Sequence, residues 1–354
     1  MRKAEKDGVA TASAAWTDGA RARQEDSFRF TRLREGEGKR SSVLLVVADG
    51  MGGQSAGDLA SRTACDAFVV AVENARGYEA TGRLRDGLED ANQALRQKLE
   101  GDRALSGMGT TLLGVLVDGD VAHWISVGDS ILYLLRKSRM DRLNADHSLA
   151  GLYAEQVASG EMTQEEADEL GGHNQLRSAV MGQTLGLIDQ SDAETGLTLQ
   201  SGDVLLLATD GILTLEPSQI KSIAKRHKHS PSSLAEALIE AVHDARAPHQ
   251  DNTTVIAYLH SKDSSDGTGR LSWLKQHRLG LALIALALCL VVALGSTIFF
   301  TDLRNHRVIR TLVTGTYFGV APAQSANARR APNAPDRSAP KNAQKSPPAS
   351  DDES

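Results

Sequence analysis

Apolar residues recur along the chain in short unbroken runs that end at Asp or Gly. The run 43–48 is the clearest, because six apolar residues rich in Val and Leu are followed by Asp49 and a glycine-rich segment. Short apolar runs bounded by turn-forming residues predict buried β-strands. The same pattern predicts strands at 112–117, 121–127, 131–135, 197–199, 203–208 and 253–259. A looser alternation of apolar and polar residues predicts an edge strand within 8–16 and another strand that includes Phe28 and Phe30.

Between these runs, the apolar positions follow a helical period. Spacings of three and four residues predict a helix from about Ser55 and a second over 81–99, which we expect to pack antiparallel and cover a sheet. Further helices are predicted over 149–159, from Pro217 and over 233–246. Thr163 and Glu166 form a capping-box sequence for a short helix, so 149–174 is predicted to be a helical insert before the sheet resumes.

A different pattern begins after residue 262. Residues 279–300 contain no charged side chain over a length that can cross a bilayer as a helix. A buried core helix is the alternative, but such helices usually keep a polar face. Residues 321–354 are rich in Pro, Ala, Asn and Ser and are predicted to be disordered. We therefore expect a catalytic domain over 1–262, a linker over 263–278, a transmembrane helix over 279–300 and a mostly disordered tail over 301–354.

Composition and charge restrict the function classes further. The chain has 354 residues, a formal net charge of −6 and only 4% aromatic residues, so no basic footprint indicates nucleic acid binding. The two cysteines, Cys65 and Cys289, cannot form a disulfide framework. No signal-peptide pattern precedes the domain, and a reducing cytoplasm fits these features.

Candidate chemistry is concentrated at the strand ends. Asp49, Asp129 and Asp210 each follow a predicted strand and neighbour a glycine, while Asp251 precedes another strand. One Asp-Gly pair alone is most often a plain turn, but its repetition favours a shared site. Carboxylates without Cys or His at zinc spacing suit Mg²⁺ or Mn²⁺ and indicate metal-assisted phosphoester hydrolysis. A lone His147 is more typical of a loop hydrogen bond than of a catalyst.

Several short motifs occur together in a familiar order. They are RxxQED, VADGMGG, GMGTT, VGDS, DHS, TDG and QDNTT, and they extend over about 9–260. In order and spacing they resemble the metal-dependent protein phosphatases of type 2C, and the Met in DGMGG and the short insert resemble the bacterial branch. The resemblance implies an α+β fold, an α/β/β/α sandwich of two antiparallel sheets flanked by helix pairs, with metals in a cleft at one end.

The resemblance also implies roles for individual residues in binding Mn²⁺ or Mg²⁺, two ions per subunit with a third, weaker one. Asp49 is expected to bridge the first two ions and Gly50 to bind the second through its carbonyl. Asp210 and Asp251 are expected to bind the first ion, and Asp129 the third.

The remaining site residues implied by the resemblance surround these ligands. Glu25 is expected to hold waters of the second ion, with Asp26 beside it, and Arg21 to bind the substrate phosphate. Asn252 and His147 are expected to be supporting residues.

Three positions depart from the common family pattern. Gln24 stands where Asn is usual and can still form hydrogen bonds. Ile131 stands where Arg often follows GDS, which we expect to matter only structurally. Met51 stands where many eukaryotic members have a His proposed as general acid, so the leaving-group proton must come from water or another residue. His147 is a poor second candidate for that role.

These features together predict a membrane-tethered bacterial phosphatase acting on phosphoserine and phosphothreonine in proteins. The expected nucleophile is a water bridging the two metals, and the expected partners are phosphorylated proteins and a Ser/Thr kinase. We expect a monomer crossing the bacterial inner membrane once, with the catalytic domain cytoplasmic. Two alternatives are a non-catalytic phosphatase-like sensor of phosphoproteins, which retention of every aspartate disfavours, and an anti-sigma-antagonist phosphatase with the same chemistry.

Overall fold

A computed structural model of the protein describes residues 11–35, 40–52, 56–75 and 79–261. All of them lie in one unit of the chain, residues 1–266. The predicted linker, transmembrane helix and tail fall outside the described residues. Across the ranges given above, no helix has both the length and the apolar character required to cross a membrane.

The described residues form strands and helices in nearly the predicted order. The strands are β1 Ala12–Thr17, β2 Asp26–Glu35, β3 Arg40–Met51, β4 Gly109–Thr110, β5 Leu112–Asp118, β6 Val121–Val127, β7 Ile131–Arg136, β8 Arg139–Arg142, β9 Asp189–Gln190, β10 Leu197–Thr198, β11 Val204–Ala208 and β12 Thr253–Leu259. The helices are α1 Ala56–Asn74, α2 Ala80–Gly101, α3 Leu149–Ser159, α4 Gln164–Glu169, α5 Pro217–His227 and α6 Pro231–Ala245. Short 3-10 turns lie at Arg103–Leu105 and Asp210–Thr214.

The strands form two antiparallel sheets. In the first, the strand order is β1-β12-β11-β7-β8, and in the second it is β10-β6-β5-β3-β2, with β4 paired to β3 and β9 to β6. The longest apolar run of the described residues, 43–48, lies in β3 between β2 and β5, and its two faces pack in different apolar clusters. Its side chains are buried because the sheet is inside the domain, which explains why the run does not alternate with polar residues.

Three clusters of buried apolar side chains hold the sheets and helices together. Leu45, Val47, Leu113, Leu205 and Ile256 belong to the cluster that the two sheets share. Helices α1 and α2 cover the outer face of the second sheet, and α5 and α6 cover the outer face of the first. The expected α+β architecture, with two antiparallel sheets flanked by helices, is therefore confirmed.

Local signals in the sequence set several boundaries. Helix α3 has the predicted ends, with Ser148 as its N-cap accepting a hydrogen bond from Gly151 N. The capping box of Thr163 and Glu166 is present at the start of α4. Strand β8 was not predicted, because its sequence RMDR has no apolar run and it joins the sheet edge through backbone pairing with β7.

Candidate metal-binding and catalytic cleft

Strand pairing brings four separate segments to one end of the two sheets. Ala208, near the end of β11, pairs with Ile131 on one side and Val255 on the other. The residues just beyond these positions therefore share an edge: Asp210 follows β11, Asp129 precedes β7 and Asp251 precedes β12. In the second sheet Asp49 lies opposite Asp26 near the end of β3.

An open cleft of about 700 Å³ lies at this end of the domain. Its lining includes the following predicted site residues: Arg21, Glu25, Asp49, Gly50, Asp129, Asp210, Asp251 and Asn252. Asp26 and His147 do not line it. The structure thus brings together residues that are up to 231 positions apart in sequence, from Arg21 to Asn252.

Gly50 is required by a close approach of two backbones. Its amide donates to the Glu25 carbonyl over 3.1 Å. A Cβ at this position would collide with the carbonyl oxygens of Gly57, in the first turn of α1, and of Glu25. The contact fixes Glu25, the end of β3 and the start of α1 against one another.

The predicted GTT segment holds the main chain of Asp49. The Asp49 amide donates to Thr111 Oγ1 over 2.8 Å, and Thr110 Oγ1 donates to the Asp49 carbonyl over 2.8 Å. Thr111 Oγ1 also lies 2.8 Å from Ser130 Oγ. The threonines thus position the carboxylate through its backbone, a role that the sequence analysis did not assign.

Asn252 fastens the loop that carries Arg21 and Glu25. Its Oδ1 accepts from the Glu25 amide over 2.8 Å, and its Nδ2 donates to the carbonyls of Asp18 and Arg23 over 2.9 and 3.0 Å. Because Asn252 follows Asp251 directly, the loop and that carboxylate are held as a unit. This geometry fits the expected supporting role.

The other two expected supports lie behind the cleft. Asp26 is buried, and its Oδ2 accepts from Thr209 Oγ1 over 2.9 Å. Burial, with a further contribution from Asp210, raises the pKa of Asp26 to about 7. His147 is also buried, and its Nδ1 accepts from the Gly128 amide over 3.3 Å. It supports the loop before Asp129 instead of facing the cleft.

The negative charge of the carboxylates in the cleft is not balanced by neighbouring positive groups. Burial, then repulsion from Asp26 and Asp210, raises the pKa of Asp49 well above its usual value. Burial and Asp210 raise the pKa of Asp129 to about 7. Burial and Asp251 raise the pKa of Asp210, whose Oδ1 is buried without a hydrogen-bond partner. A bound cation would reverse each of these penalties.

This donor set fits a hard divalent cation such as Mg²⁺ or Mn²⁺, which prefers carboxylate and carbonyl oxygen. The side chains do not form a closed cage, since no three His, Cys, Asp or Glu residues of the described ranges converge on one point. Asp251 is turned toward Arg21, whose Nη2 donates to Asp251 Oδ2. The carboxylates thus line one cleft without converging on a single point, and Asp251 would have to turn away from Arg21 to bind a cation beside the others.

One wall of the cleft was missed by the sequence analysis. It is formed by residues 174–179 and Met181. Asn174 is the last residue of the predicted insert, and the rest of this wall follows the insert directly. The segment is anchored by the Arg177 amide, which donates to the His147 carbonyl over 2.7 Å, and by pairing of Val180 with Thr110. Arg177 is exposed. In the sequence it is a single Arg in a polar segment after the insert, which is only a weak signal for a site residue.

Comparison with known proteins identifies the fold and the family. The sequence pattern of the family described as Protein phosphatase 2C matches residues 19–250. The chain belongs to the protein phosphatase 2C family. This phosphatase 2C chain is 30% identical over 225 residues to the serine/threonine phosphatase stp of Listeria welshimeri, an alignment that covers 62% of the chain and 85% of that relative.

Solved structures extend the similarity of this phosphatase 2C chain to three dimensions. The crystal structure of the Mycobacterium tuberculosis serine/threonine phosphatase PstP/Ppp matches with a TM-score of 0.58 and 27% identity, over 70% of this chain and 98% of that one. The catalytic domain of PstP in complex with two manganese ions matches with a TM-score of 0.56 and 27% identity, over 70% and 97% of the two chains.

Proposed function

We propose that this phosphatase 2C family member hydrolyses phosphoserine and phosphothreonine esters in proteins. The observation that carries the proposal is the gathering of Asp49, Asp129, Asp210 and Asp251 with Arg21 in one open cleft. Family membership and the serine/threonine phosphatases among the relatives support the same reaction. Retention of every aspartate disfavours a non-catalytic sensor.

Asp49, Asp210, Asp251 and the Gly50 carbonyl would hold the divalent cations, with Glu25 and Asp129 at the periphery. The fit rests on carboxylates whose pKa values are raised by burial and, after it, by their mutual repulsion. When bound, two such ions supply charge neutralisation at the phosphoryl oxygens and lower the pKa of a water. The manganese complex of PstP supports a two-ion site in this chain.

Arg21 is the proposed phosphate-binding residue. It extends from the loop that Asn252 fastens and carries the guanidinium fork that matches phosphoryl oxygens. This guanidinium is hydrogen-bonded to Asp251. If Asp251 turned toward a bound cation, Arg21 would be released to bind the substrate phosphate.

The leaving-group proton is not supplied by histidine. The cleft lining of the described residues contains Met51 and Met181 but no His. Water is therefore the proposed source of the proton for the alcohol leaving group, which is compatible with Met at position 51.

Membrane attachment is part of the proposal. The uncharged run at 279–300 supports a single transmembrane helix, with residues 1–262 in the cytoplasm of a bacterium. Substrates would then be cytoplasmic phosphoproteins, including targets of a Ser/Thr kinase.

The test is phosphate release from a phosphothreonine peptide by the full-length protein in detergent, titrated with Mn²⁺. The parent protein should turn over only with metal. Asp210→Asn should lower kcat at least about a hundredfold, because a ligand charge is lost. Asp90→Asn, an exposed position on α2, is the matched control and should leave kcat unchanged. Parental turnover by the Asp210→Asn protein would refute the assignment.

A further inference from the structure

Helix α5 and the junction that follows it carry an unusual concentration of positive charge. Between residues 217 and 235 the chain has no acidic residue. Four basic residues in this stretch define the α5 basic surface: Lys221, Lys225, Arg226 and Lys228. The opposite face of the helix, with Ile220, Ile223 and Ala224, is buried against the core.

The charge of this surface is uncompensated. Lys225 and Arg226 are exposed, and none of the four basic residues has an acidic partner at ion-pair distance among the described residues. The nearby β7–β8 hairpin differs, since Arg136 pairs with Asp203 over 2.7 Å and Arg139 with Asp141 over 2.7 Å. The α5 basic surface therefore offers its charge to a partner outside the domain.

Chain direction places this surface at the end of the domain opposite the cleft. Helix α5 begins just after Thr214, whose Oγ1 donates to Gln250 Oε1 next to Asp251, and α6 ends shortly before the same segment, so the outer ends of both helices lie near the cleft. The α5–α6 junction lies where that path reverses. Strand β12 also starts beside the cleft and runs away from it, so the described chain leaves the domain at Ser261, at the same end as the junction.

An anionic bilayer is the partner that these features favour. The uncharged run begins at Leu279, 18 positions beyond Ser261, and 18 residues span at most about 60 Å. This length lets the α5 basic surface reach a membrane entered by that run. Within a Debye length, about 8 Å at physiological salt, anionic headgroups attract clustered Lys and Arg.

We propose that the α5 basic surface lies on the anionic headgroups of the membrane that residues 279–300 enter. The cleft then faces away from the bilayer and stays open to cytoplasmic phosphoproteins. This inference rests on the membrane attachment proposed above and is independent of the phosphatase chemistry. It adds an electrostatic contact between the domain and the lipid to the tether supplied by the chain.

Lysine acylation can test the contact on the full-length protein. The protein is reconstituted into nanodiscs of phosphatidylcholine alone or of equal parts phosphatidylcholine and phosphatidylglycerol, and acylation is followed by mass spectrometry. Lys225 and Lys228 should react about fivefold more slowly in the anionic discs, and high salt should restore their reactivity. Exposed Lys98, in the last turn of α2, is the internal control and should react equally in both.

Paired variants separate a specific contact from general attraction. Lys225→Gln with Arg226→Gln should abolish the protection of Lys228, whereas Lys98→Gln with Arg103→Gln should leave it intact. Both variants should hydrolyse a soluble phosphopeptide at the parent rate. Equal acylation of Lys225 in the two lipids would overturn the inference, as would failure of the protein to enter the discs. Parental phosphate release in either case would leave the proposed phosphatase function standing.

Discussion

Arg21 Nη2 donates to Asp251 Oδ2 over 2.6 Å, so the proposed phosphate-binding residue is paired with a proposed metal ligand. The two side chains are 55% and 39% exposed. An ion pair with this much solvent contact contributes at most about 1 kcal/mol, so a divalent cation can displace Arg21 from Asp251. Metal binding and the availability of Arg21 for phosphate are thereby linked.

Replacing Arg21 by Met should tighten Mn²⁺ binding while weakening substrate binding. The variant no longer competes for Asp251, and we expect about a two- to fivefold lower Kd for Mn²⁺ by isothermal titration calorimetry. In the same protein KM for both a phosphopeptide and a small aryl phosphate should rise about tenfold, because the lost contact is to phosphate itself. Arg23→Met is the neighbouring control. Unchanged KM on both substrates would contradict the role of Arg21.

Metal removal should make stability depend on pH. Without metal the pKa values of Asp26 and Asp129 are raised from 3.8 to about 7, so the folded state binds protons more tightly than the unfolded state. Their contribution to the free energy of unfolding should be present at low pH and be lost as the pH rises from about 4 to about 7. Urea denaturation across this window, in chelator and in saturating Mn²⁺, measures the effect. A loss of the same size with Mn²⁺ present would count against metal binding beside these carboxyls.

Arg177 should contribute to binding of the peptide more than to the reaction. It is an exposed cation in the cleft lining, and its backbone anchor does not depend on the side chain. Arg177→Ala should raise KM for a phosphopeptide about tenfold while kcat changes less than about threefold. Arg103→Ala, remote from the lining, serves as control. A fall in kcat with constant KM would instead assign Arg177 to the transition state.

The helical insert at 149–174 should influence substrate choice. Its second helix, α4, exposes Glu165, Asp168 and Glu169 shortly before the chain forms the cleft wall. Neutralising these three to Gln, Asn and Gln should lower kcat/KM for a phosphopeptide flanked by basic residues several-fold, because opposite charges attract at exposed sites. Hydrolysis of a small aryl phosphate is the control and should be spared. Equal losses on both substrates would make the insert a stability element.

The membrane orientation also stays a prediction. Alkaline phosphatase fused after Ser354 should be active in cells and green fluorescent protein fused there should be dark, because residues from about 301 are expected outside the cytoplasm. Basic residues flank both ends of the run at 279–300, so their balance does not decide the orientation. The opposite fusion pattern would reverse the predicted orientation, and full extraction of the protein by carbonate would contradict the transmembrane helix.

The parts of this fold that follow from sequence are those with a strong local signal. The apolar run before Asp49 predicted a buried strand, because a strand that is buried on both faces is apolar throughout and does not alternate with polar residues. Ser148 marked the start of α3 as its N-cap. Strand β8 carries no such signal, since its residues contribute mainly backbone pairing at a sheet edge.

The residues of the candidate site also differ in whether a local sequence signal marks them. Asp-Gly pairs at strand ends identified the carboxylates, whereas the pairing of Arg21 with Asp251 depends on two loops 230 residues apart. The role of Thr111 was equally hidden, because its hydroxyl bonds a backbone amide that any residue at position 49 would present. Arg177 lies in a segment without strong periodicity and enters the cleft only through tertiary packing.

The hydrogen bonds between the hydroxyls of Thr110 and Thr111 and the main chain of Asp49 also affect how quickly the enzyme can bind metal. They use only the backbone of Asp49 and leave its carboxylate oxygens to the cleft. Metal loading should then need changes of side-chain rotamer and no refolding of the loop, and rotamer changes are faster than loop motions. The activity of this phosphatase should accordingly follow changes in the free Mn²⁺ concentration without a slow conformational step.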